Sequence, residues 1–495
     1  MTDIRRTLLW VVFTMSLVLL WDAWNKHTGQ PSMFSPAPRP TAPAAPDAAP
    51  SAAGLPQAGV PVAAATSTPA AAAGPTAVPA TASPAGDITT VTTDLVSAQF
   101  DSAGGSLVRL ELLAHADAED RQRKVLLFDR SAERVYMAQT GLITAQPGVQ
   151  LPNHYSPMRR VPGPDTLAPG SNELLVRFET TDASGVRLAK TYTFRRGSYV
   201  IDVRHEVVNS GSAPVSPQLY LQLVRDGNPA RGESKWYFTF TGPAVYTEAR
   251  KYEKIDFSDV EKGRASHVTS TNEGWIAMVQ HYFASAWLVN AAAPREFRTQ
   301  KVSANLYAVQ MVLPLGELAP GASKVQEAAL FAGPQEENKL EALAPGLELV
   351  KDYGWFTVLA KPLFWVLDQV HKVLHNWGWS IVALVVLLKI AFYWLNASAY
   401  RSMAKMKALA PRITDLRDRY KEKPQLMQQE MMRIYREEKV NPLGGCLPIM
   451  VQIPVFIALY WVLLSSVEMR NAPWIGWIRD LSTPDPYYIL PVIMT

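Results

Sequence analysis

The sequence has one cysteine in 495 residues, and this scarcity excludes several kinds of chemistry. Cys446 alone cannot form an intrachain disulfide, and no cluster of cysteines and histidines has the spacing of metal ligands. We therefore expect no structural or catalytic metal, no redox centre and no other cofactor.

The sequence also lacks a large surplus of charge of one sign, and it lacks the usual catalytic motifs. The net charge of +4 is small for this length, and no Lys/Arg-rich block alternates with aromatic residues, so nucleic acid is not an expected partner. No Gly-x-Ser-x-Gly motif occurs, and no spacing among the histidines names a reaction. These residues, which we interpret as structural or surface histidines, are His154, His205, His267 and His281. The sequence predicts a protein that is not an enzyme.

Residues 1–27 are predicted to anchor the chain in a membrane. Arg5 and Arg6 precede an apolar run, Leu8–Trp21, and no small-x-small cleavage site follows directly. A cleaved signal peptide is the alternative. The two arginines favour a cytoplasmic start, which sends the following residues across the membrane. Residues 28–86 are rich in Ala, Pro, Ser and Thr and predict a disordered linker.

Residues 87–350 are predicted to form a large all-β domain on the far side of the membrane. Apolar and charged residues alternate through Ile201–Val207, as is typical of a half-buried strand. Leu219, Leu221 and Leu223 repeat this alternation in the next run. A β-sandwich is the expected fold, and it contains no convincing catalytic set.

A lysine inside an apolar helix is the most informative feature of the C-terminal third. Residues 351–378 predict an amphipathic helix lying flat at the membrane surface, and residues 379–400 predict a transmembrane helix that contains Lys389. A lysine at the centre of a span costs about 2.5–3.5 kcal/mol. Lys389 is roughly 14 Å from the cytoplasmic end, which is more than its stem comfortably reaches. A polar cavity is therefore predicted, with snorkelling as the alternative.

A second polar side chain is expected at the same depth. Residues 442–467 predict another transmembrane helix, which contains Gln452 between Pro448 and Pro454. Gln452 is about nine residues from the predicted helix start, which matches the depth of Lys389. Prolines inside a span leave backbone carbonyls free to line a wet compartment. The two predicted helices are therefore expected to share such a compartment.

Three further segments complete the predicted architecture. Residues 401–441 predict a cytoplasmic helical hairpin, and residues 401–439 hold 11 Lys and Arg against 6 Asp and Glu. This positive charge either enforces the positive-inside rule or forms a docking surface for ribosome, lipid headgroups or emerging chain, and both roles stay open. Residues 468–485 predict an outer segment. Residues 486–495 begin another apolar helix that is too short to cross a bilayer, so the chain is expected to continue.

Four stretches of the C-terminal third carry a recognisable pattern: Tyr400–Met406, Glu430–Met432, Glu438–Cys446 and Asp485–Pro491. They resemble the YidC/Oxa/Alb family of membrane protein insertases, in its Gram-negative form. The order of anchor, linker, β domain and helices agrees with the same family. The resemblance implies a multi-pass protein of the bacterial inner membrane with a periplasmic β-supersandwich, an α-helical membrane bundle and no nucleotide cycle.

The resemblance also assigns a substrate groove. In that family a hydrophilic groove open to cytoplasm and lipid carries one positive charge, usually an arginine, and Lys389 occupies the matching position. Gln452 and Phe456, one turn apart, match groove-facing positions. Lysine keeps the charge but lacks the planar fork of arginine, which favours simple electrostatic attraction. The implied partners are nascent membrane proteins, the Sec translocon, the ribosome and membrane lipids.

Two other functions stay open from the sequence. A transporter or channel could use Lys389 and Gln452 to bind a small anion, although the few spans and the lack of inverted repeats argue against it. A membrane-tethered carbohydrate-binding protein would act through residues 87–350 instead. Deleting most of that domain separates the second alternative from an insertase, because an insertase is expected to keep its activity.

Overall fold

The structure is a computed structural model that describes residues 86–117, 120–181, 185–230, 239–421, 423–438 and 447–494. The predicted anchor, Cys446 and all of the predicted linker except residue 86 lie outside the described residues.

The described strands occupy the first part of the chain. They are β1 (Ile88–Thr92), β2 (Val96–Asp101), β3 (Ser106–Ala116), β4 (Lys124–Arg130), β5 (Val135–Ile143), β6 (Arg159–Arg160), β7 (Glu173–Thr181), β8 (Val186–Arg195), β9 (Val200–Asn209), β10 (Gln218–Asp226), β11 (Gly242–Thr247), β12 (Lys251–Lys254), β13 (Ser270–Thr271), β14 (Trp275–Val279), β15 (Phe283–Leu288), β16 (Arg295–Ser303), β17 (Leu306–Pro314) and β18 (Ser323–Pro334).

The described helices fall mainly after the last strand. They are α1 (Phe257–Glu261), α2 (Glu337–Leu343), α3 (Thr357–Leu374), α4 (Trp377–Ala391), α5 (Tyr393–Arg419), α6 (Pro424–Glu437), α7 (Leu447–Ser465) and α8 (Ile489–Met494). Short 3₁₀ turns at Leu347–Val350, Gly354–Phe356 and Val467–Met469 connect them.

The predicted all-β domain is confirmed as two nine-stranded antiparallel sheets. The first sheet has the order β1-β2-β3-β4-β5-β10-β17-β16-β13, and the second has the order β12-β11-β14-β15-β18-β9-β8-β7-β6. Side chains from both sheets contribute to one buried apolar cluster, as in a sandwich.

The alternation predicted from the sequence holds in β9 but not in β10. In β9, Ile201, Val203 and Val207 are buried, whereas Arg204 is exposed. Every residue of β10 after Gln218 is buried, because β10 lies in the middle of its sheet between β5 and β17. A strand covered on both faces loses the polar half of the pattern.

Glutamines occupy part of the second face of β10. The Gln222 amide donates to Gln139 on β5 at 2.7 Å, and Gln310 on β17 donates to Gln222 at 3.0 Å. All three side chains are buried, so hydrogen bonds between neighbouring strands offset part of the cost of taking these amides out of water.

The helices after the sandwich follow the amphipathic and apolar patterns of the sequence with one difference. Helix α3 lies within the range predicted for the amphipathic helix. Residues 379–400, predicted as one continuous span, are divided at Phe392, where α4 and α5 meet at an angle of 61°. No proline or glycine in this stretch signals the bend.

Helices α5 and α6 lie side by side in opposite directions. A short connection joins the C-terminal end of α5 to the N-terminal end of α6. Arg412 on α5 pairs at 2.7 Å with Glu438, which follows the C-terminal end of α6. Most of their side chains are exposed, as the polar composition of this segment predicts.

Candidate functional site

Lys389 and Phe456 lie together at the junction of two apolar helices. Lys389 is in the last turn of α4, and its Nζ lies 5.5 Å from the centre of the Phe456 ring on α7. This distance is within the range of a cation–π contact. The contact links the C-terminal end of α4 to the middle of α7.

Gln452 lies one turn before Phe456 on α7 and shares an open cleft with it. The cleft has a volume of 380 Å³. Its lining residues are Gln452, Ile453, Phe456, Ile457 and Tyr460. Its wall is therefore apolar except for one amide and one phenol, and Lys389 adds a positive charge beside it through Phe456.

The charge of Lys389 is not neutralised within the described part of the chain. Its side chain is exposed, and no carboxylate of the described residues lies within ion-pair distance. A cation held by a ring face, without a counter-ion, remains able to attract a negative group from another molecule.

A small apolar core joins α4 and α7, the helix that lines the cleft, to α3. It contains Tyr353, Ala360, Phe364, Leu367, Leu384, Ala458, Leu459, Val462 and Met469. Ala360 on α3 and Ala458 on α7 are fully buried. Phe456 and Leu388 pack against this core from its edge, which places the cleft directly beside it.

Helix α3 has a second apolar surface that this core does not cover. Val358 is 84% exposed and Trp365 is 64% exposed, whereas Phe364 is buried. Lys361 and Lys372 lie on the same helix and pair with Glu348 and Asp368. An exposed apolar stripe with flanking lysines is the pattern of a helix that lies in a membrane interface.

A buried ionic cluster, which sequence reasoning missed, lies on the connection between the β domain and α3. The side chain of Lys351 is fully buried, and its Nζ lies 3.3 Å from Glu468 and 3.9 Å from Glu337. The Tyr353 hydroxyl donates to Glu337 at 2.6 Å. Burial raises the pKa of Glu468, and the charge of Lys351 opposes that shift. A pair separated by 117 residues leaves no signal in a local pattern.

The β domain also contacts the segment that follows α7. Arg470 donates to the Ala116 carbonyl at 2.7 Å and lies 5.1 Å from the ring centre of Tyr282. His281 contacts the Leu464 carbonyl through Nε2 at 2.9 Å. The segment after α7 is therefore held by the β domain as well as by the helices.

The interior of the β domain contains two buried ionisable side chains, Lys190 and His205. Lys190 on β8 donates to the carbonyls of Gly104 and Thr140, each at 2.6 Å, and burial lowers its pKa to about 7. His205 contacts the Thr140 hydroxyl at 3.0 Å, and burial, with Lys190 as a lesser cause, lowers its pKa to about 3. Neither side chain reaches solvent, so both are structural.

A helix that crosses a membrane must be both long and apolar, and the described helices were compared with these two requirements. By length and hydropathy no single described helix qualifies, but α4 and α5 qualify together as a bent pair. The apolar part of α7 over Met450–Ser465 is shorter than the test requires. The predicted spans over residues 379–400 and 442–467 stay predictions.

Comparison with known families divides the chain into two matched parts. A model described as the YidC periplasmic domain matches residues 88–366, and a model described as the 60Kd inner membrane protein matches residues 369–495. The boundary lies in α3, between the β domain and the helices of the cleft.

Relatives match over nearly the whole chain. The membrane protein insertase YidC of Cupriavidus necator is 56% identical over 99% of this chain and 86% of its own length. The proteins of the same name from Ralstonia nicotianae and Burkholderia multivorans are 54% and 49% identical, each over 99% of this chain and 87% of its own length.

Similarity to solved structures is limited to part of the chain. A galactose mutarotase related enzyme from Lactobacillus acidophilus covers 50% of this chain and 97% of its own, with 10% identity and a TM-score of 0.33. A likeness this weak supports no statement about a ligand of the β domain.

Proposed function

The chain belongs to the YidC family of membrane protein insertases, and we propose that it inserts membrane proteins through the cleft beside Lys389. It is an inner membrane protein with a periplasmic domain, and it is an insertase rather than an enzyme. The proposal concerns how this chain performs the insertion and which residues take part.

The observation that carries the proposal is an unneutralised lysine beside an open apolar cleft. Lys389 contacts Phe456 at 5.5 Å, and Phe456 lines the cleft with Gln452. A substrate segment with an aspartate or glutamate meets a positive charge there before it meets lipid. The apolar wall offers contacts to the hydrophobic residues that follow in the same substrate.

The magnitudes make this attraction significant. An acidic residue at the centre of a span costs about 2.5–3.5 kcal/mol. A carboxylate about 4 Å from a lysine gains about 1 kcal/mol in water and about 4 kcal/mol at the effective dielectric constant of a protein surface, and the exposed Lys389 is nearer the first value. The cleft therefore removes a substantial part of the electrostatic barrier. Release toward the periplasm is then assisted by the membrane potential, at about 2.3 kcal/mol per charge per 100 mV.

The surrounding helices form a multi-pass membrane bundle in this proposal. The bent pair α4–α5 and the apolar α7 cross or enter the bilayer, while the exposed stripe of α3 lies in its outer interface. The α5–α6 hairpin then lies in the cytoplasm, because its surplus of Lys and Arg favours that side. Gln452 supplies hydrogen bonds to the polar backbone of the passing segment.

The partners follow from this placement. Nascent membrane proteins are the substrates, and the Sec translocon and the ribosome supply them. The basic hairpin suits the ribosome or anionic lipid headgroups, since a positively charged surface attracts negatively charged partners.

A charge series at position 389 tests the proposal. We expect Lys389→Arg to insert a substrate with an acidic translocated segment at nearly the normal rate, because it keeps the charge. We expect Lys389→Glu to slow that insertion by about a hundredfold, since attraction becomes repulsion. The measurement is protease protection of the translocated segment in proteoliposomes. Lys324→Glu, a charge reversal at an exposed lysine of β18, is the control.

Equal insertion by the Arg and Glu variants would remove charge attraction from the mechanism. Insertion that survives the change at 389 but not deletion of residues 87–334 would assign the activity to the β domain and remove it from the cleft. Ion or solute flux that depends on Lys389 would favour a transporter.

A further inference from the structure

Lys351 is a charged side chain buried where three parts of the chain meet. It follows the 3₁₀ turn Leu347–Val350 and precedes α3, and none of its side chain is exposed. Its Nζ lies 3.7 Å from the centre of the Phe364 ring on α3. Both carboxylate oxygens of Glu468, in the turn after α7, lie at 3.3 and 3.4 Å.

Burying this lysine needs every one of these contacts. An ammonium group taken out of water is unfavourable unless carboxylates and a ring face replace its hydration. Glu468 supplies the nearest charge, and Glu337 on α2 lies 3.9 Å away and accepts a hydrogen bond from Tyr353. The cluster is satisfied only when α2, α3 and the end of α7 are correctly aligned.

The apolar packing around the cleft is supplemented by this directional contact. Helices α3 and α7 meet through apolar side chains such as Ala360, Ala458 and Val462, and hydrophobic burial has no preferred direction. A buried ion pair has only one favourable register, and setting register is the best-supported use of buried charges.

The cleft is directly connected to this alignment. Glu468 follows α7 by three residues, and α7 carries Gln452 and Phe456. Phe364 belongs to the core against which Phe456 packs. A slide of α7 along α3 therefore changes the position of Phe456 relative to Lys389.

We propose that Lys351 is a positioning residue for insertion: its buried contacts with Glu468 and Phe364 fix the register of α7 and hold the cleft in its working geometry. The proposal rests on the proposed function of the cleft. Lys351 does not touch substrate in this account and acts only through α3 and α7.

Lys351→Met tests the proposal, because methionine keeps the length and apolar stem but removes the charge. We expect the initial rate of insertion in proteoliposomes to fall about tenfold, since the remaining carboxylates are left buried without their cation. Lys339→Met is the matched control. Lys339 lies on α2 and pairs with Glu336 at 2.7 Å, but its side chain is 66% exposed, so we expect no change.

A distance measurement separates register from general loss of stability. Spin labels at the exposed positions Val386 on α4 and Val451 on α7, in a Cys446→Ser background, report the axial relation of the two helices. We expect Lys351→Met to broaden and shift this distance, and Lys339→Met to leave it unchanged. This measurement requires no substrate, so it does not depend on whether Lys389 attracts acidic residues.

Two milder variants apply if Lys351→Met does not fold. Phe364→Leu removes the ring face and keeps an apolar side chain, and Glu468→Gln removes the charge and keeps the shape. We expect each to shift the same distance, and the double variant Lys351→Met/Glu468→Gln to be no worse than Lys351→Met alone. An unchanged distance in all folded variants, or insertion that falls without a distance change, would overturn the proposal.

Discussion

At the scale of single residues, two lysines near the cleft have opposite surroundings: Lys389 is exposed beside Phe456, whereas the side chain of Lys351 is fully buried. Lys389 stands out because its neighbours are apolar, and the hydropathy pattern alone marks it. Lys351 lies in a mixed stretch, and its partner Glu468 is 117 residues away. Nothing in either neighbourhood shows that both become buried, so only the folded chain shows the pair.

His205 illustrates the same limit in the β domain. It occupies an inward position of β9, where the alternation predicts an apolar side chain. Its buried contact with Thr140 comes from the facing sheet, and burial lowers its pKa to about 3. His115 behaves similarly, since burial and then Arg470 lower its pKa to about 4.

The stability of the β domain should therefore fall as the pH is lowered. A histidine with a lowered pKa in the folded state contributes stability above its unfolded pKa of about 6.5, and that contribution is lost as the pH falls toward the folded value. Each such histidine adds a slope of about 1.4 kcal/mol per pH unit. Lys190 changes the slope only above pH 7, because its folded pKa is about 7.

Urea unfolding followed by tryptophan fluorescence, to which the buried Trp275 and Trp287 of the β domain contribute, measures this slope between pH 7 and pH 4. We expect His205→Gln to reduce the slope of stability against pH by up to about 1.4 kcal/mol per pH unit, since glutamine can contact Thr140 without taking up a proton. Equal slopes in the normal protein and the variant would show that His205 does not titrate with unfolding. The difference between the free energies of unfolding of the two proteins at pH 7 gives the destabilisation caused by the substitution itself.

At the scale of elements, the hydrophobic patterns predicted whether an element is a helix or a strand. They did not predict where a helix bends or which strand is buried on both faces. The alternation of β9 and the amphipathic pattern of α3 each correspond to one element of that type. The division at Phe392 was not predicted, because the bend is not caused by a proline or glycine. The buried second face of β10 was not predicted, because its position in the sheet depends on β5 and β17.

The close approach of α3 and α7 gives a prediction at this scale. Ala458 is fully buried in the core shared by the two helices, so Ala458→Leu adds a branched side chain where no space exists. Overpacking of this kind costs about 1–3 kcal/mol and pushes the helices apart. We expect a lower unfolding temperature and slower insertion.

The control for this change is Val451→Leu, which enlarges an exposed side chain of the same helix. We expect the unfolding temperature and the insertion rate of this variant to match those of the normal protein. If Ala458→Leu also leaves both unchanged, the contact between α3 and α7 is looser than the structure indicates.

At the scale of the whole molecule, side-chain hydrogen bonds join the β domain to the helices in addition to the connecting chain. Arg470 reaches the end of β3, and His281 before β15 reaches the end of α7. Together with Lys351 these contacts hold the segment after α7 from two sides. None of them was predicted, because each joins residues of different domains, whereas the order of the domains was readable from composition and hydropathy.

The central claim is that the cleft draws acidic substrate segments to the charge at position 389. The most direct measurement exchanges the charges: insertion by Lys389→Glu of a substrate whose translocated aspartates are replaced by lysines. We expect this pair to insert at least ten times faster than the same variant with the aspartate substrate, because attraction is restored. Insertion by Lys389→Glu that is equally slow, or equally fast, with both substrates would contradict it.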